Sequence, residues 1–400
     1  MKKTSDPRNS WLNRTVLGVS LTSLFSDMSH EMATAILPFF VIFGLGGNAA
    51  VVGLIEGVSD GASSAVKSYS GYHTDKTGRR TPAMYLGYSL TAILIPAIGF
   101  ATSWMQALVL RVGAWVGRGA RGPPRDALLA ESVPPESRGK AFGFQRGMDT
   151  IGAVIGPAIA LYLIPYLSFS SIFLVSFVPG VISVGVVLTL VREGRRERGS
   201  PSQSFTSSIR NLPQRFRLFL VSVGLFGLAN FSNVIFTLRA EQVLQPSLGA
   251  PGASGLAVLL YLVLNIVYAA SSFPAGYLAD RVSKKLFLAS GYFVFSLACV
   301  ASIFEVPSLP VLLVIFVLAG LHVAIVDTVE GTYAADLLDS SQRGSGYGAL
   351  QTVNGVGDFV SSTMIGVLWT ALSPALGFAT VAAISGGAAV LLITTMRGAR

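Results

Sequence analysis

The sequence predicts an all-α membrane protein, twelve transmembrane helices in two pseudo-symmetric six-helix bundles, and three observations predict it. The first is composition. Of 400 residues, 52% are hydrophobic and 12% charged, with a mean hydropathy of +0.62, too little polar surface to cover a water-soluble body of this size. The second is a succession of apolar stretches, each of the roughly 20 residues that a helix needs to cross a bilayer. The third is an internal repeat: the segment Gly71 to Arg80, with Asp75, Lys76, Gly78 and Arg79, returns 205 residues later as Gly276 to Lys285, with Asp280, Arg281 and Lys284. At the same offset Arg138 and Gly139 fall on Arg343 and Gly344, Asp149 on Asn354, and Gly152 on Gly357. Matches at one spacing over this length mark a duplicated unit.

In chain order the spanning windows run over 15–43, 49–69, 82–102, 105–127, 141–164, 169–191, 216–237, 254–275, 286–304, 309–332, 346–370 and 376–395. They divide the chain into an N-terminal bundle (1–191), a linker (192–214) and a C-terminal bundle (215–400). The first window is too long for a cleavable signal and carries Asp27, His30 and Glu31, so it is expected to stay as a helix. Glu56 and Asp60 lie in the second, and the fourth holds Arg111, Arg118, Arg121 and Arg125. The fifth holds Gly152, Gly156 and Pro157. Gly, Ser, Pro and Arg dominate the linker and predict a flexible or surface-lying segment. Polar residues thin out in the second half, to Asn230, Ser232, Asn233, Asn265, Tyr268, His322, Asn354 and Asp358, with the acidic pair Asp327 and Glu330. The single cysteine, Cys299, allows no internal disulfide.

Basic residues set the orientation. With Lys2, Lys3, Arg8 and Arg14 in the cytoplasm, almost every other Lys and Arg outside the windows falls in a cytoplasmic loop or the C-terminal tail, and the outer loops offer only Arg239. Both termini are then cytoplasmic, in a multi-pass plasma membrane protein of the bacterial inner-membrane kind. The net charge of +9 reads as topology and attraction to anionic membrane lipid; no nucleic-acid partner is needed to explain it. No Walker-type loop, haem motif or His-carboxylate-Ser arrangement appears. The expectation is therefore not an enzyme, with no cofactor, driven by an ion gradient or by the substrate's own, and functional as a monomer.

Three motifs give the chain its resemblance to a known family. Gly71, Asp75, Lys76, Gly78, Arg79 and Arg80 match the pattern G-x-x-x-D-R/K-x-G-R-R/K, with Ser283 replacing the second glycine in the repeat. Arg111, Gly117, Gly119 and Pro123 lead into Ala130-Glu131 and Pro134 to Gly139. Gly152, Gly156 and Pro157 match G-x-x-x-G-P. Over its whole length the chain resembles the major facilitator superfamily, and the last motif resembles the exporter or antiporter branches. The resemblance implies secondary transport of a small molecule by alternating access. It also implies a conformational latch in the loop after helix 2, formed by Gly71, Asp75, Lys76, Gly78, Arg79 and Arg80 with Asp280 and Arg281 in the repeat; plain interfacial anchoring is the alternative.

The intramembrane charges carry the chemistry, because each is costly in lipid and seldom faces it. Residues 27, 30 and 31 share a helical face, as do 56 and 60. Crowded carboxylates at similar depth suit proton carriage, with Arg111 as the compensating charge; Asp27, Glu31, Glu56, Asp60 and Arg111 are the coupling candidates, and a permanent salt-bridge cluster is the alternative. Asp27, His30 and Glu31 also offer ligands for a transported divalent metal, although no thiol or second His stands near. Arg118, Arg121 and Arg125 form a stripe; at the 205 offset Arg125 falls on Glu330, and Asp327 lies one position from the image of Arg121, so the equivalent stripe reads as acidic. That opposition predicts a cytoplasmic gate, with an anion-binding patch or snorkelling to the headgroups as rivals. His30, Asn230, Asn233, Asn265, Tyr268, His322, Asn354 and Asp358 are the substrate-cavity candidates. The sequence thus points to a proton-coupled exporter of a small organic molecule, or else to a facilitator or exchanger for an organic anion or a divalent metal.

Overall fold

A computed structural model describes residues 11–77, 79–134, 137–193, 212–279, 281–338 and 343–395. Among the described residues twelve α-helical elements follow one another: α1 (Arg14–Phe39), α2 (Ala49–Thr77), α3 (Thr81–Ala97), α4 (Trp104–Glu131), α5 (Arg138–Leu163), α6 (Phe169–Leu190), α7 (Gln214–Gly227), α8 (Val234–Ala279), α9 (Lys284–Ile303), α10 (Leu309–Asp336), α11 (Arg343–Ala371) and α12 (Pro374–Thr395). No strand occurs among the described residues. A bilayer leaves backbone groups no water to bond, so helices satisfy them internally.

Local signals set several helix ends. Ser103 caps α4 by accepting from the Gln106 backbone N–H, and Ser168 caps α6 by accepting from that of Ser171. Proline occupies the first turn of α3 and of α10, where its missing N–H leaves no bond unmade.

Two windows differ from the sequence expectation. The window 216–237 is not one helix: α7 stops at Gly227 and α8 starts at Val234, with irregular backbone between. The 46-residue α8 then runs through the end of that span and the whole of the next, turning at Gly249, whose φ of 68° is outside the helical region and is one that glycine adopts without strain.

Seven of the elements are long and apolar enough to cross a membrane by length and composition: α2, α3, α6, α8, α9, α10 and α12. Helices α1, α4, α5 and α11 fall short because Gly, Ser, Thr, amide and charged residues lower their hydropathy, and α7 is short. Polar residues of that kind belong on the face turned away from lipid.

By contact the chain forms two compact units, one of residues 1–36 and 65–201, the other of 37–64 and 202–400. The end of the first sequence window and the start of the second therefore group with the C-terminal half. Packing repeats between the units. In the first, α3 lies against α4 and α6; in the second, α9 lies against α10 and α12. The first unit's core is aliphatic where α1, α3, α4 and α6 meet, at Val16, Val19, Met84, Leu128, Leu129 and Val187. The second unit's core is aromatic: Phe226 stacks on Tyr292 with ring centres 3.8 Å apart, and Phe231, Phe236, Phe295 and Phe378 tile against one another.

Candidate functional site

In the first unit, charge gathers on α1, α4 and α5. The helical spacing of Asp27, His30 and Glu31 puts all three on one side of α1. His30 is 1% exposed; its Nδ1 lies 3.3 Å from Asp27 Oδ1 and 3.2 Å from the Ser26 carbonyl, and its Nε2 lies 3.1 Å from Glu31 Oε1. The imidazole is thus held between two carboxylates, and Trp115 meets its ring edge-on, 5.8 Å away.

The α4 arginines surround this array from within the same unit. Arg121 Nη2 stands 3.9 Å from Asp27 Oδ1, Arg121 Nη1 donates to Ser26 Oγ and Thr91 Oγ1, and its guanidinium lies 4.1 Å from the centre of the Tyr88 ring. Arg118 approaches Trp115, at 5.3 Å. Arg125 donates through Nε to Asp126 at 2.9 Å and through Nη1 to Ser23 Oγ at 3.4 Å, with Asp149 3.9 Å from Nη1. Arg111, expected as the compensating charge, is fully buried, donates to Thr34 Oγ1 at 3.1 Å and lies 3.5 Å over Trp115. A guanidinium stacked on indole is favoured in a dry site.

Helix α5 packs beneath the array. A β-carbon at Gly152 would stand 3.2 Å from that of Asp27, and one at Gly156 would stand 3.2 Å from that of Glu31, with the Met28 carbonyl at 2.6 Å. The two motif glycines are the places where α5 touches the α1 backbone, as small residues allow. Their repeat behaves alike: a β-carbon at Gly357 on α11 would meet Gly227 at the end of α7, 2.6 Å away.

In the second unit, a polar cluster surrounds the break between α7 and α8. Asn230 Nδ2 donates to Asp358 Oδ1 at 3.0 Å, and His322 Nε2 lies 3.4 Å from Asn230 Oδ1. The backbone left open by the break is met by two adjacent serines of α11: Ser361 Oγ donates to the Asn230 carbonyl, and Ser362 Oγ accepts from the Ser232 N–H. Ser232 Oγ in turn donates to Glu56 Oε2 at 2.7 Å, and Asp60 sits one turn further along α2, half-buried. Of the other cavity candidates, Asn265 donates to the Tyr261 carbonyl, Tyr268 to Asp327 at 3.1 Å and Asn354 to Glu330 at 2.6 Å. Asn233 contributes its backbone carbonyl to the start of α8. Asp327 and Glu330 thus take these partners inside their own unit.

The loop after α2 is partly described. Gly78 and Asp280, and the side chains of Asp75 and Lys76, lie outside the described residues. Gly71 faces Pro123 of α4, Arg79 is exposed, and Arg281 lies over Tyr277. Arg80 is buried, donating to Glu131 Oε1 at 2.8 Å. Glu193, just past α6, accepts from the Arg80 and Thr81 backbone N–H groups at the start of α3. In the second unit Lys284 pairs with Asp336 at 2.7 Å, and Asp336 is the image of Glu131 at the 205 offset.

The match to the Major Facilitator Superfamily covers residues 19–245 and 221–399, from the first spanning helix to the last. This chain belongs to the major facilitator superfamily. Within the superfamily it is 33% identical over 389 residues to an uncharacterized MFS-type transporter of Methanocaldococcus jannaschii, covering 96% of this chain and 95% of that one. It is 23% identical over 326 residues to the cis,cis-muconate transport protein of Acinetobacter baylyi, covering 79% and 78% of the two chains. A POT family transporter in complex with 5-aminolevulinic acid has the same fold, with a TM-score of 0.80 over 97% of each chain at 11% identity. Membership makes this a multi-pass membrane transporter of small molecules.

For a member of the superfamily, two features went unread in the sequence. Asp149 is one, brought to α1 by the glycine contact; its signal was the run Gln145, Asp149, Gly152, Gly156, which continues one stripe of α5. Glu193 is the other, a lone carboxylate in a basic stretch. Among the described residues, no three or more His, Cys, Asp or Glu side chains are grouped to hold a metal ion.

Proposed function

We propose that this transporter is a proton-coupled exporter of a small organic molecule working by alternating access. The observation that carries the reading is the buried Asp27, His30 and Glu31 array on α1, with Arg121 3.9 Å from Asp27. Carboxylate and imidazole are the groups that take up and release protons near neutral pH once their surroundings tune them, and an arginine beside them answers each change of charge. Export is supported by the resemblance of Gly152, Gly156 and Pro157 to the exporter-branch motif and by their place under the array. The plasma membrane, with both termini in the cytoplasm, is the matching location.

A second reading, transport of an organic anion, is favoured by one observation: two guanidinium groups, Arg111 and Arg121, are buried and stacked on aromatic rings inside the first unit. The relative named as a cis,cis-muconate transport protein supports it. Buried, oriented guanidinium forks suit carboxylates.

Purified protein in liposomes with a trapped pH dye separates the readings. A panel of organic cations, zwitterions and carboxylates is offered with and without an imposed proton gradient. Proton-coupled export predicts that at least one compound accumulates in acid-loaded vesicles, raises the lumenal pH, and does neither once a protonophore is added. Equal rates for every transported compound with and without the gradient would overturn the coupling.

A further inference from the structure

We propose that Asp149 on α5 is the second half of the proton site, forming with Asp27 on α1 a carboxyl–carboxylate pair that holds one proton between them. The inference deepens the proton-coupling reading and rests on it. Helices α1 and α5 meet in a fixed register. Gln145 Nε2 donates to Ser23 Oγ at 2.9 Å; four residues further along each helix, Asp149 and Asp27 take the next facing positions, and Arg125 reaches across the same seam, 3.4 Å from Ser23 and 3.9 Å from Asp149. Gly152 and Gly156 then bring the two backbones together. Side chains four apart share a helical face, so the glycine contacts and the Ser23–Gln145 bond hold the two carboxyls opposite each other.

An ionised carboxylate only accepts hydrogen bonds. Two of them brought to facing positions can share one proton, which relieves the repulsion between like charges. The surroundings agree. Asp149 Oδ1 is closed off from solvent and receives no hydrogen bond from an N–H or O–H of the described residues, an acceptor that a shared proton satisfies. The charges facing the pair are few. Arg121 lies 3.9 Å from Asp27, and His30, itself against Glu31, lies 3.3 Å from it; Arg118 stands by Trp115 on α4. Arg125 and Arg146 each lie 3.9 Å from Asp149, and Asp126 holds Arg125 more tightly, at 2.9 Å. Arg121, Arg125 and Arg146 each stand 3.9 Å off these carboxyls, which leaves the proton its place.

When the proton leaves, a second negative charge appears between α1 and α5. Their backbones touch at the glycines and cannot part there. The new charge is met instead by Arg121 and Arg125, both on α4, so the protonation state of the pair sets the pull on α4. The only bond made or broken is one O–H, and the titration behaves as that of a pair rather than of either residue.

Infrared difference spectroscopy of the full chain in lipid nanodiscs, titrated with acid and base in H2O and D2O, reads the site with the proton itself as probe. Wild type is expected to show a protonated-carboxyl C=O band, shifted in D2O, that disappears on titration to alkaline pH. Asp149→Asn and Asp27→Asn are each expected to remove that same band, while Glu305→Gln, on an exposed side chain, leaves it. Asp149→Glu keeps a carboxyl and is expected to move the band without abolishing it, which preserves the test if the amide variant does not fold. A band lost in Asp27→Asn but unchanged in both Asp149 variants would overturn the pair. The coupling reading fails separately: a wild-type band that titrates as expected in a protein whose transport ignores the proton gradient would sink coupling and leave the pair standing.

Discussion

Gly152 on α5 lies so close to Asp27 on α1 that a β-carbon at 152 would stand 3.2 Å from that of Asp27 and 3.1 Å from the Met28 nitrogen, with the Leu24 carbonyl nearer still. The glycine motif is thus a packing device for the charged face of α1. Backbone atoms cannot yield as a side chain can. Gly152→Ala is expected to destabilise the protein by about 1–3 kcal/mol, and Gly152→Val by more, read as the melting temperature in detergent. Gly143 on the same helix has open space around it, and Gly143→Ala should be neutral or gain about 0.5–1 kcal/mol from helix propensity. Equal effects at 143 and 152 would contradict the packing account.

Arg121 binds the array by charge and by shape. Arg121→Gln removes the 3.9 Å charge contact with Asp27, which keeps His30 as a partner, and should cost about 2–3 kcal/mol. Arg121→Lys keeps the charge but loses the planar stack on Tyr88 and the two hydroxyl bonds, a loss of about 1–2 kcal/mol. Thermal unfolding of the two variants checks the order; a lysine variant as unstable as the glutamine one would mean that shape outweighs charge.

Glu193 sits where the positive end of α3 begins, accepting from the Arg80 and Thr81 N–H groups. An anion there is worth about 0.3–1 kcal/mol. Glu193→Gln should lower the melting temperature by about a degree or less at low salt and by still less at high salt, because screening weakens the interaction. A drop that does not change with salt would assign Glu193 a purely hydrogen-bonding part.

The break between α7 and α8 depends on α11. Ser361→Ala removes the donor to the Asn230 carbonyl, and Ser362→Ala the acceptor for the Ser232 N–H; each is expected to cost about 1 kcal/mol as an unmet half-buried backbone group. If Asn230, Asp358 and His322 contact substrate, Asn230→Ala should raise KM more than it lowers kcat for the compound that wild type transports. A change in kcat alone would place the cluster in the conformational cycle and not at the substrate.

The sequence made the helices legible because the bilayer admits few alternatives: an apolar run of sufficient length has to be a helix. The shared face of Asp27, His30 and Glu31 was legible for a similar reason, since positions three and four apart need no tertiary information. Asp149 was not legible. It lies on a helix that opens with Arg138, Lys140 and Arg146 and reads as basic; what it faces depends on the register of α5 against α1, set by two glycines touching a distant backbone. Nor was the break at Leu228 to Asn233 legible, because the groups that make it tolerable, Ser361 and Ser362, are some 130 residues away. Arg125 reads as a stripe residue beside Arg118 and Arg121, yet it turns toward Asp126, its own neighbour on α4, and toward Ser23 on α1 and Asp149 on α5.

The central claim is that a proton site on α1 drives transport, and uphill accumulation set against exchange in Asp27→Asn liposomes tests it most directly. For a panel compound that wild type accumulates in acid-loaded vesicles, the variant should lose gradient-driven accumulation while still exchanging labelled for unlabelled compound across the membrane, because the substrate path stays intact and only the proton path is cut. Accumulation at the wild-type level in Asp27→Asn would contradict the account.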